Sequence, residues 1–493
     1  MSLTYHQSFL PYKPLPHNAR NAVYDSLKSY GFNPEKMIVK DYAFSSRDRQ
    51  QVVVNAIVFA HEIHRTPDYT SLTLFNPANG KGDYALVQIL AQSAAPFHLI
   101  HQDASERFSF WFSNVNDKRA EEVKPSLIES DISYDQLHQV LNAYAADLKP
   151  QRIIDVKQRR GEFSHPRFRE TGSFQLSLWA IEVTRDLLVK HFGDVVNRLH
   201  EYHNSAIPKE EVTDIALQLL GATILSHTGV LRDAIRQDDP PIDRLIDIAH
   251  NKYPTYFNRD LFERWSEAYT SAYKILTELR YSGFAPDMLT ELYKEAYPDK
   301  GTRRKLGRYD TPLYLTRRIW ETIPVEFLPP EKRVIADMTC GWGSFLIAGY
   351  ERLSQMIDMQ GQPLRKYLHG NDKDHFTARL AGLGLLISTS EDRWHIDNKD
   401  AKTWQWLNKS QPNIIVGNPP FGGDRKTLKG PKTRYQKADG YLERAIECLA
   451  DGGYLAMLMP QSFVAAEPSP GLRKKLLEKC DVQELWELPQ GLF

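Results

Sequence analysis

The sequence predicts an α/β protein with a parallel-sheet core in its C-terminal half, preceded by a helical domain and a small amino-terminal α/β domain. The core is predicted by an apolar strand that runs into a Gly-x-Gly turn within 334–346, by acids after the next strands within 368–400, and by an apolar strand that leads into Asn-Pro-Pro-Phe within 414–421. Ligands of open α/β sheets bind beyond the carboxyl ends of the strands. These strand ends therefore form the candidate site.

The turn within 334–346 combines glycines with an acid. Gly341 and Gly343 allow a tight turn and a close approach of the backbone to a ligand. Asp337 ends the strand before them. A carboxylate at this place repels phosphate and suits a ligand that carries a cationic ammonium group. The combination favours S-adenosylmethionine over a dinucleotide as the cofactor.

Two further acids follow the next strands. Asp372 ends the second strand, where an acid in a nucleotide-binding fold bonds ribose hydroxyls. A third short strand, 394–396, leads to Asp400, whose carboxylate can accept from the amino group of the cofactor's adenine. Each acid alone is typical of a solvated loop, but in series at successive strand ends they predict a site. The apolar helix predicted at 376–387 should pack on the sheet.

The segment Asn418-Pro419-Pro420-Phe421 has two interpretations. Asn and Pro favour turns, so an ordinary turn after a strand is the simpler one. The two prolines also fix φ and remove two backbone donors, which leaves bare carbonyls beside the Asn418 amide and an aromatic ring. Such a surface fits a planar amine, because the carbonyls accept its hydrogens and the ring stacks on its face. An adenine taken out of a double helix presents that amine.

Together these residues resemble the adenine-specific DNA methyltransferases of the N-6 DNA methylase family, in the type I and fused type IIG-like enzymes of restriction-modification and phage-defence systems. The glycine turn is similar to that family's cofactor loop, and Asn-Pro-Pro-Phe to its catalytic motif. The segment 307–312 is similar to its additional cofactor motif. There Tyr309, Thr311 and Pro312 would close over the methionine part of the cofactor. The order of the motifs is that of the gamma class, which implies a Rossmann-like core.

The resemblance implies a reaction and its residues. A methyl group would pass from S-adenosylmethionine to the exocyclic N6 amine of an adenine in double-stranded DNA, after the base has flipped into the pocket. Asn418 and Pro419 would accept from the amine, and Pro420 and Phe421 would complete the catalytic motif. Two other functions stay open: methylation of RNA or of a protein glutamine, and a non-catalytic DNA-binding defence subunit with this fold. The presence of Asn418, Phe421 and Asp372 disfavours the last of these.

The resemblance extends to the end of the sequence. The segment 452–460 is similar to the family's fifth strand, and 472–493 to the strand and loop after it. The family then continues with a second aromatic wall for the base and a target-recognition domain, so we expect the core to be incomplete at its C-terminus. A specificity or restriction subunit, or the missing domain, is the partner expected besides DNA. Trp342 stands where the family has a small residue, and either narrows the cofactor pocket or packs outside it.

Charge and cysteine content limit the partners and the location. The formal net charge is +0, so DNA binding must depend on local charge. Basic residues crowd after Asn-Pro-Pro-Phe, where we expect contacts to DNA phosphates rather than a merely solvated loop. They are Arg425, Lys426, Lys429, Lys432 and Arg434. The cysteines match no zinc spacing, so no metal site is expected and a reducing, cytoplasmic location is indicated. No signal sequence or membrane span is predicted.

We predict three parts of the chain: an α/β domain of unknown role at 1–150, a connector and helical domain at 151–298, and the catalytic core at 299–493. Strands of the first part are predicted at 52–59, 71–75, 97–101 and 107–112. Helices of the second are predicted at 210–225, 242–253, 260–281 and 287–297.

The amino-terminal part contains residues that suggest other chemistry. Pro67-Asp68 is compatible with a nuclease, but no Glu-x-Lys follows on a suitable strand, so we do not expect one. His61 and His64 lack the spacing of a zinc protease and are interpreted as polar residues at a strand end. Trp111 is expected in the core rather than on a base-stacking surface.

Overall fold

The structure is a computed structural model of the 493-residue chain. It describes residues 10–46, 48, 50–62, 64–79, 82–115, 123–169, 172–202, 206–228, 230–231, 240–277, 281, 284–296, 311–421, 437–465 and 471–489. The chain folds into two units. The first comprises Met1–Leu199, Leu219–Ala249 and Phe262–Met288, and the second comprises His200–Gln218, His250–Leu261 and Leu289–Phe493. The helical segment thus contributes to both units, and the division at residues 150 and 298 stays a prediction.

The first unit contains a mixed sheet in which the strands lie in chain order. Its strands are β1 (Ile38–Ser45), β2 (Gln51–Phe59), β3 (Thr70–Phe75), β4 (Phe97–Gln102), β5 (Arg107–Val115) and β6 (Val123–Ile132). Neighbours are antiparallel except β3 and β4, which run parallel. The four predicted strands are confirmed as β2 to β5. The sequence did not predict β1 and β6, which lie at the edges, where polar residues interrupt the apolar pattern.

Both units contain α-helices. Those that the structure describes are His17–Ser29, Pro34–Met37, Tyr84–Leu90, Tyr134–Asn142, Ala145–Leu148, Pro150–Lys157, Gly172–Glu201, Lys209–His227, Ile242–Lys252, Arg259–Arg264, Ser266–Leu276, Leu289–Ala296, Leu313–Thr322, Ser344–Ser354, His375–Thr389, Gln405–Ser410, Lys437–Cys448, Ser462–Ala465 and Leu472–Lys479. The helices predicted at 210–225, 242–253 and 376–387 are confirmed. The helix predicted at 260–281 is two helices that break at Trp265. The one predicted at 287–297 starts at Leu289, after a 3-10 turn.

The polar residues singled out in the amino-terminal part have structural partners. Glu62 forms an ion pair with Lys36 at 2.9 Å, and the rings of His61 and His64 lie 4.2 Å apart. Trp111 is buried, as expected for a core residue. The Pro67 carbonyl accepts a hydrogen bond of 2.7 Å from the buried Nζ of Lys157. The turn that contains Pro67 and Asp68 is thus fixed by a buried amine.

The second unit contains a wholly parallel sheet, which positions the candidate site. Its strands are β7 (Ile335–Asp337), β8 (Leu368–Asn371), β9 (His395–Asp397), β10 (Ile414–Gly417) and β11 (Tyr454–Met457), in the order β11-β10-β7-β8-β9. In this register Asp337 lies opposite Gly370 on one side and Val416 on the other. The carboxyl ends of β7, β8 and β10 therefore lie at the same edge, and the predicted α/β core is confirmed.

The helix Leu313–Thr322 packs on the helix Ser344–Ser354, which begins at the glycine turn. Nε1 of the buried Trp320 donates a hydrogen bond of 2.8 Å to the Phe345 carbonyl. The indole lies so close to the second helix that a Cβ at Gly349 would be 2.8 Å from its Cζ2 atom. Glycine at this position thus lets the two helices approach each other.

The segment predicted as a strand and loop at 472–493 differs in the structure. Leu472–Lys479 is a helix, and the described residues after it, 480–489, are in neither helix nor strand. The helix begins after Gly471, which has a φ of 83°. Leu472 is buried and packs with Leu442 and Ile446 of a neighbouring helix. The prediction of a strand is therefore wrong here. The segment is rich in good helix formers, and the helix that they form buries Leu472 against its neighbour.

In the part of the chain that the structure describes, no helix is both long enough and apolar enough to cross a membrane.

The contact between the two packed helices gives a stability prediction. We expect Gly349→Ala to lower the free energy of unfolding by about 1–3 kcal/mol. The clash with Trp320 should outweigh the ~0.5–1 kcal/mol that alanine usually gains over glycine inside a helix. Gly382→Ala is the matched control, because a Cβ there would be 3.5 Å from Tyr256, an ordinary contact. Urea denaturation measures both, and equal stabilisation by the two substitutions would contradict the packing.

Candidate active site

Asp337 is a buried acid at the carboxyl end of β7. Its side chain is 1% exposed, and its Oδ1 accepts a hydrogen bond of 3.0 Å from the Thr339 amide. The pKa of Asp337 is raised to about 8, chiefly by burial; the Thr339 amide lowers it, and the nearby Asp372 carboxylate raises it. With no cation beside it, the carboxyl group therefore favours its protonated form near neutral pH, and an ammonium group would favour the carboxylate.

The glycine turn connects this acid to the next strand end. Gly341 and Gly343 have φ values of 55° and 93°, which residues other than glycine rarely adopt. The Gly341 amide donates to Oδ2 of Asp372 at 3.2 Å, and the Cys340 amide donates to the Asn371 carbonyl at 2.9 Å. The turn thus brings Asp337, Gly341 and Asp372 together, as the sequence predicts.

Asn371 fixes the ends of three strands, and the sequence analysis missed it. It is fully buried. Its Nδ2 donates to the carbonyls of Met338 and Lys399, each at 3.0 Å, and its Oδ1 accepts from the Lys399 amide at 3.1 Å. A second amide, Asn398, donates to the Asp372 carbonyl at 2.9 Å. The sequence signal was an Asn directly before Asp372 and another two residues before Asp400, and loops commonly contain Asn.

Asp400 lies farther along the same edge, after β9. Its Oδ1 accepts from the Lys402 amide at 3.0 Å, at the start of a short 3-10 turn. Its other oxygen lies 3.6 Å from Nζ of Lys373, and both side chains are largely solvated. The structure therefore connects Asp400 to the Asp372 turn through Lys373. It does not bring Asp400 into contact with Asp337 or Gly341.

The Asn-Pro-Pro-Phe segment begins directly at the end of β10, beside Asp337. A Cβ at Gly417 would lie 3.0 Å from Oδ1 of Asp337, so glycine is needed for this approach. The Thr339 hydroxyl donates to the Asn418 carbonyl at 3.5 Å. Pro419 is buried, whereas Asn418, Pro420 and Phe421 are half-buried. The two predicted halves of the site thus lie next to each other.

A threonine contacts the catalytic candidate from the opposite side. Nδ2 of Asn418 donates a hydrogen bond of 3.0 Å to Oγ1 of Thr311. Thr311 is 4% exposed and precedes Pro312, the N-cap of the helix Leu313–Thr322. The structure therefore brings Thr311 and Asn418 together, although they are far apart in the sequence.

Some predicted residues lie outside the described residues: Tyr309 and the basic residues Arg425, Lys426, Lys429, Lys432 and Arg434. Trp342 is described and is 2% exposed. Trp342 is therefore buried within the second unit, and which of its two predicted places it takes stays a prediction. The backbone carbonyl of Trp342 lies 2.9 Å from the position of a Cβ at Gly384. The helix His375–Thr389, which contains Gly384, therefore packs closely on the glycine turn.

The strand ends fit a cationic cofactor such as S-adenosylmethionine. Oδ2 of Asp337 is buried and has no hydrogen-bond partner among the residues that the structure describes. An ammonium group of a ligand would provide one. A Cβ at Gly341 would meet no atom within 4 Å, so space is open beside the backbone of the turn. Within the described ranges, no cluster of His, Cys, Asp and Glu could hold a metal ion.

Known proteins resemble the chain over this part. Residues 286–493 match the family model described as N-6 DNA Methylase. The methylase subunit of the Escherichia coli type I restriction enzyme EcoEI is 27% identical over 217 residues, which cover 41% of this chain and 43% of that protein. The Escherichia coli type II restriction enzyme and methyltransferase RM.Eco57I is 20% identical over 416 residues, which cover 61% of this chain and 41% of that protein.

This chain is also similar to a solved structure, the methyltransferase subunit of a type I restriction-modification system from Streptococcus thermophilus. It has a TM-score of 0.34 and 15% sequence identity, and the match covers 60% of this chain and 79% of that chain. The matches to the two curated relatives span about two fifths of the length of each.

The buried acid gives a prediction for the pH dependence of stability. Because its folded pKa is about 8 and its ordinary value is 3.8, the folded chain keeps a proton that the unfolded chain releases. The wild-type chain should therefore lose stability relative to Asp337→Asn as the pH rises from about 4 to about 8, and the difference should level off above that.

Chemical denaturation at several pH values measures this difference. Asp451→Asn is the matched control, because Asp451 is exposed in the turn before β11, and its substitution should give a nearly constant difference. A constant difference for Asp337→Asn as well would show that the carboxyl group is solvated.

Proposed function

We propose that this chain transfers a methyl group from S-adenosylmethionine to the N6 amine of an adenine in double-stranded DNA. The match of residues 286–493 to the family model described as N-6 DNA Methylase supports this proposal. The base flips out of the helix and enters a pocket formed by Asn418, Pro419, Pro420 and Phe421. The reaction serves a restriction-modification or phage-defence system.

One observation carries this proposal: a chain of hydrogen bonds connects the acid of the glycine turn to the Asn-Pro-Pro-Phe segment. The Thr339 amide donates to Asp337, and the Thr339 hydroxyl donates to the Asn418 carbonyl. Asn418 in turn donates to Thr311. A methyl donor bound at Asp337 and an acceptor bound at Asn418 would therefore lie side by side, as a direct transfer requires.

The cofactor side uses the strand ends of β7, β8 and β9. Asp337 accepts from the ammonium group, Gly341 and Gly343 give the backbone room, and Asp372 accepts from the ribose hydroxyls. Asp400 accepts from the adenine amine of the cofactor, a role that its solvated position leaves open to a ligand. When bound, S-adenosylmethionine supplies a methyl group on a sulfonium, which is an excellent leaving group.

The acceptor side must make a poor nucleophile attack. The lone pair of the adenine amine is delocalised into the ring. When the Asn418 side-chain oxygen and the Pro419 carbonyl accept its two hydrogens, the nitrogen is drawn toward tetrahedral geometry and its lone pair is directed out of the ring plane. Positioning and electrostatics then supply the catalysis. As the nitrogen forms its bond to the methyl carbon, the carbon–sulfur bond would break and S-adenosylhomocysteine would leave as a neutral thioether, and the methylated amine would then lose one proton to solvent. Phe421 stacks on the base, which is worth about 1–3 kcal/mol.

Binding of DNA depends on local charge in this proposal, because the chain is neutral overall. The basic residues after Phe421 contact the phosphates around the flipped adenine. A specificity or restriction subunit, or a further domain, supplies the sequence recognition. Tyr309 stands two residues before Thr311 in the sequence motif and would cover the methionine part of the cofactor.

The test of the reaction is mass spectrometry of nucleosides from DNA that has been incubated with the protein and labelled cofactor. We expect labelled N6-methyl-2′-deoxyadenosine from DNA and no product from RNA or from a protein with glutamine. In the same assay Asn418→Ala should abolish the transfer while the cofactor Kd stays within a few fold, because Asn418 contacts the acceptor and not chiefly the cofactor.

Asn408→Ala is the control for this substitution, since Asn408 is an exposed helix residue of the same unit. Full activity of Asn418→Ala would remove the proposed mechanism. Label in RNA or in glutamine would show that the substrate is RNA or a protein and not DNA. Cofactor binding without any transfer would favour the non-catalytic subunit.

The basic segment gives a prediction for salt dependence. Replacing Lys426, Lys429 and Lys432 by Gln should flatten the slope of log affinity against log salt by about two to three units, because fewer counterions are released. Fluorescence anisotropy with duplex DNA at several salt concentrations measures the slope. Replacing the exposed Lys332, Lys409 and Lys474 by Gln is the control of equal charge. An unchanged slope in the first variant would show that the segment is an ordinary solvated loop that does not contact the DNA phosphates.

A further inference from the structure

We propose that Thr311 is a positioning residue, which orients the side-chain amide of Asn418 so that its oxygen, and not its nitrogen, meets the acceptor amine. This inference rests on the proposed function. It assigns to Thr311 a role beyond the cofactor contact that the sequence motif implies.

An asparagine amide has two ends of nearly equal size and opposite hydrogen-bonding character. The oxygen accepts and the nitrogen donates two hydrogens. With the nitrogen turned toward the substrate, donors would face donors, and the amine of adenine would be repelled rather than drawn toward tetrahedral geometry. The substrate amine therefore requires the oxygen, and a neighbour that accepts from the nitrogen at the same time stabilises this orientation.

The hydroxyl of Thr311 can accept from the amide nitrogen in the productive orientation. Nδ2 of Asn418 donates to it at 3.0 Å, so the nitrogen is used on the Thr311 side and Oδ1 is directed elsewhere. The backbone of the same residue is fixed independently. Its carbonyl accepts from the Thr339 hydroxyl at 3.5 Å, and the preceding Gly417 carbonyl accepts from the Leu458 amide at 3.0 Å.

Thr311 is itself fixed by the packing of the helix that follows it. Thr316, in the first turn of that helix, is fully buried, and its hydroxyl contacts the Ser344 carbonyl at 3.2 Å. Trp320 donates to the Phe345 carbonyl from the next turn. Both carbonyls belong to the start of the helix that follows the glycine turn. The hydroxyl of Thr311 is therefore positioned relative to the cofactor turn and the acceptor segment together.

The two roles of Thr311 predict different kinetics. A residue that only covers the cofactor changes the cofactor Kd and leaves the rate at saturation unchanged. A residue that orients Asn418 changes kcat and leaves the cofactor Kd nearly unchanged. Valine is the sharpest substitution for separating them, because it keeps the shape of threonine and removes only the hydroxyl.

The experiment compares Thr311→Val, Thr311→Ser and the wild-type chain by kcat on duplex DNA, by KM for DNA and by calorimetric Kd for the cofactor. Thr311→Val should lower kcat about 10- to 100-fold, because the amide nitrogen of Asn418 then loses its acceptor and the side chain is less well positioned. Its cofactor Kd should stay within about threefold of wild type. Thr311→Ser keeps the hydroxyl and should restore kcat to within about threefold of wild type.

Thr322→Val is the matched control. Thr322 is exposed at the end of the same helix, and its hydroxyl donates only within that helix, to the Ile319 carbonyl. It should leave kcat and Kd at wild-type values, and thermal melting checks that every variant is folded. Because Thr311→Ser makes the smaller change, it decides the question if Thr311→Val unfolds: near wild-type kcat with a wild-type Kd supports the inference, and a large loss of kcat contradicts it.

The possible failures are distinguishable. A wild-type chain that transfers no methyl group to DNA overturns both the proposed function and the role of Thr311. An active wild-type chain with an equally active Thr311→Val variant overturns only the role of Thr311. A weakened cofactor Kd with unchanged kcat overturns the positioning role and leaves the cofactor contact. Loss of kcat in Thr311→Val without rescue by Thr311→Ser shows that packing, and not the hydroxyl, is required.

Discussion

The parallel register of β8, β7 and β10 is the constraint on which the candidate site depends. Asp337 lies between Gly370 and Val416 in adjacent strands, so the residues that follow each strand emerge at one level. Glycine at 417 then allows the Asp337 carboxyl to approach β10. A shift of one residue in either pairing would reverse the side on which each side chain emerges. It would also separate Asn418 from the glycine turn.

Two buried ionisable residues of the second unit differ in how fully the described residues satisfy their polar atoms. Arg333 is 2% exposed, and it donates to the carbonyls of Val325 and Leu328 and forms a paired contact with both oxygens of Asp358. Its donors are used within the protein, which offsets the cost of burial. Asp337 is buried to the same degree, yet one of its oxygens lacks a partner among the described residues. A donor from a ligand would stabilise such an atom.

The sequence predicts the elements of this site better than the contacts between them. The apolar runs identified β7, β8, β9 and β10. The polar residues at or after the ends of these strands identified Asp337, Asp372, Asp400 and Asn418 as candidate site residues. Thr339 and Asn371 were not predicted, because their roles depend on which loops are adjacent once the sheet has formed. The helix Leu472–Lys479 was also missed, since a family resemblance gave the element type there and the local sequence favours a helix.

The residues that join the loops of this site share a physical property, the shortness of their side chains. Asp, Asn and Thr have at most two rotatable bonds, so fixing them costs less conformational entropy than fixing lysine or arginine. Thr339, Asn371 and Thr311 each join two or more segments by contacts of 3.0 to 3.5 Å. Asp400 differs, because its partner is the long and solvated Lys373. The part of the site that surrounds Asp337 and Asn418 is therefore preorganised, as positional catalysis requires, whereas the part at Asp400 is free to adapt to the ligand that it meets.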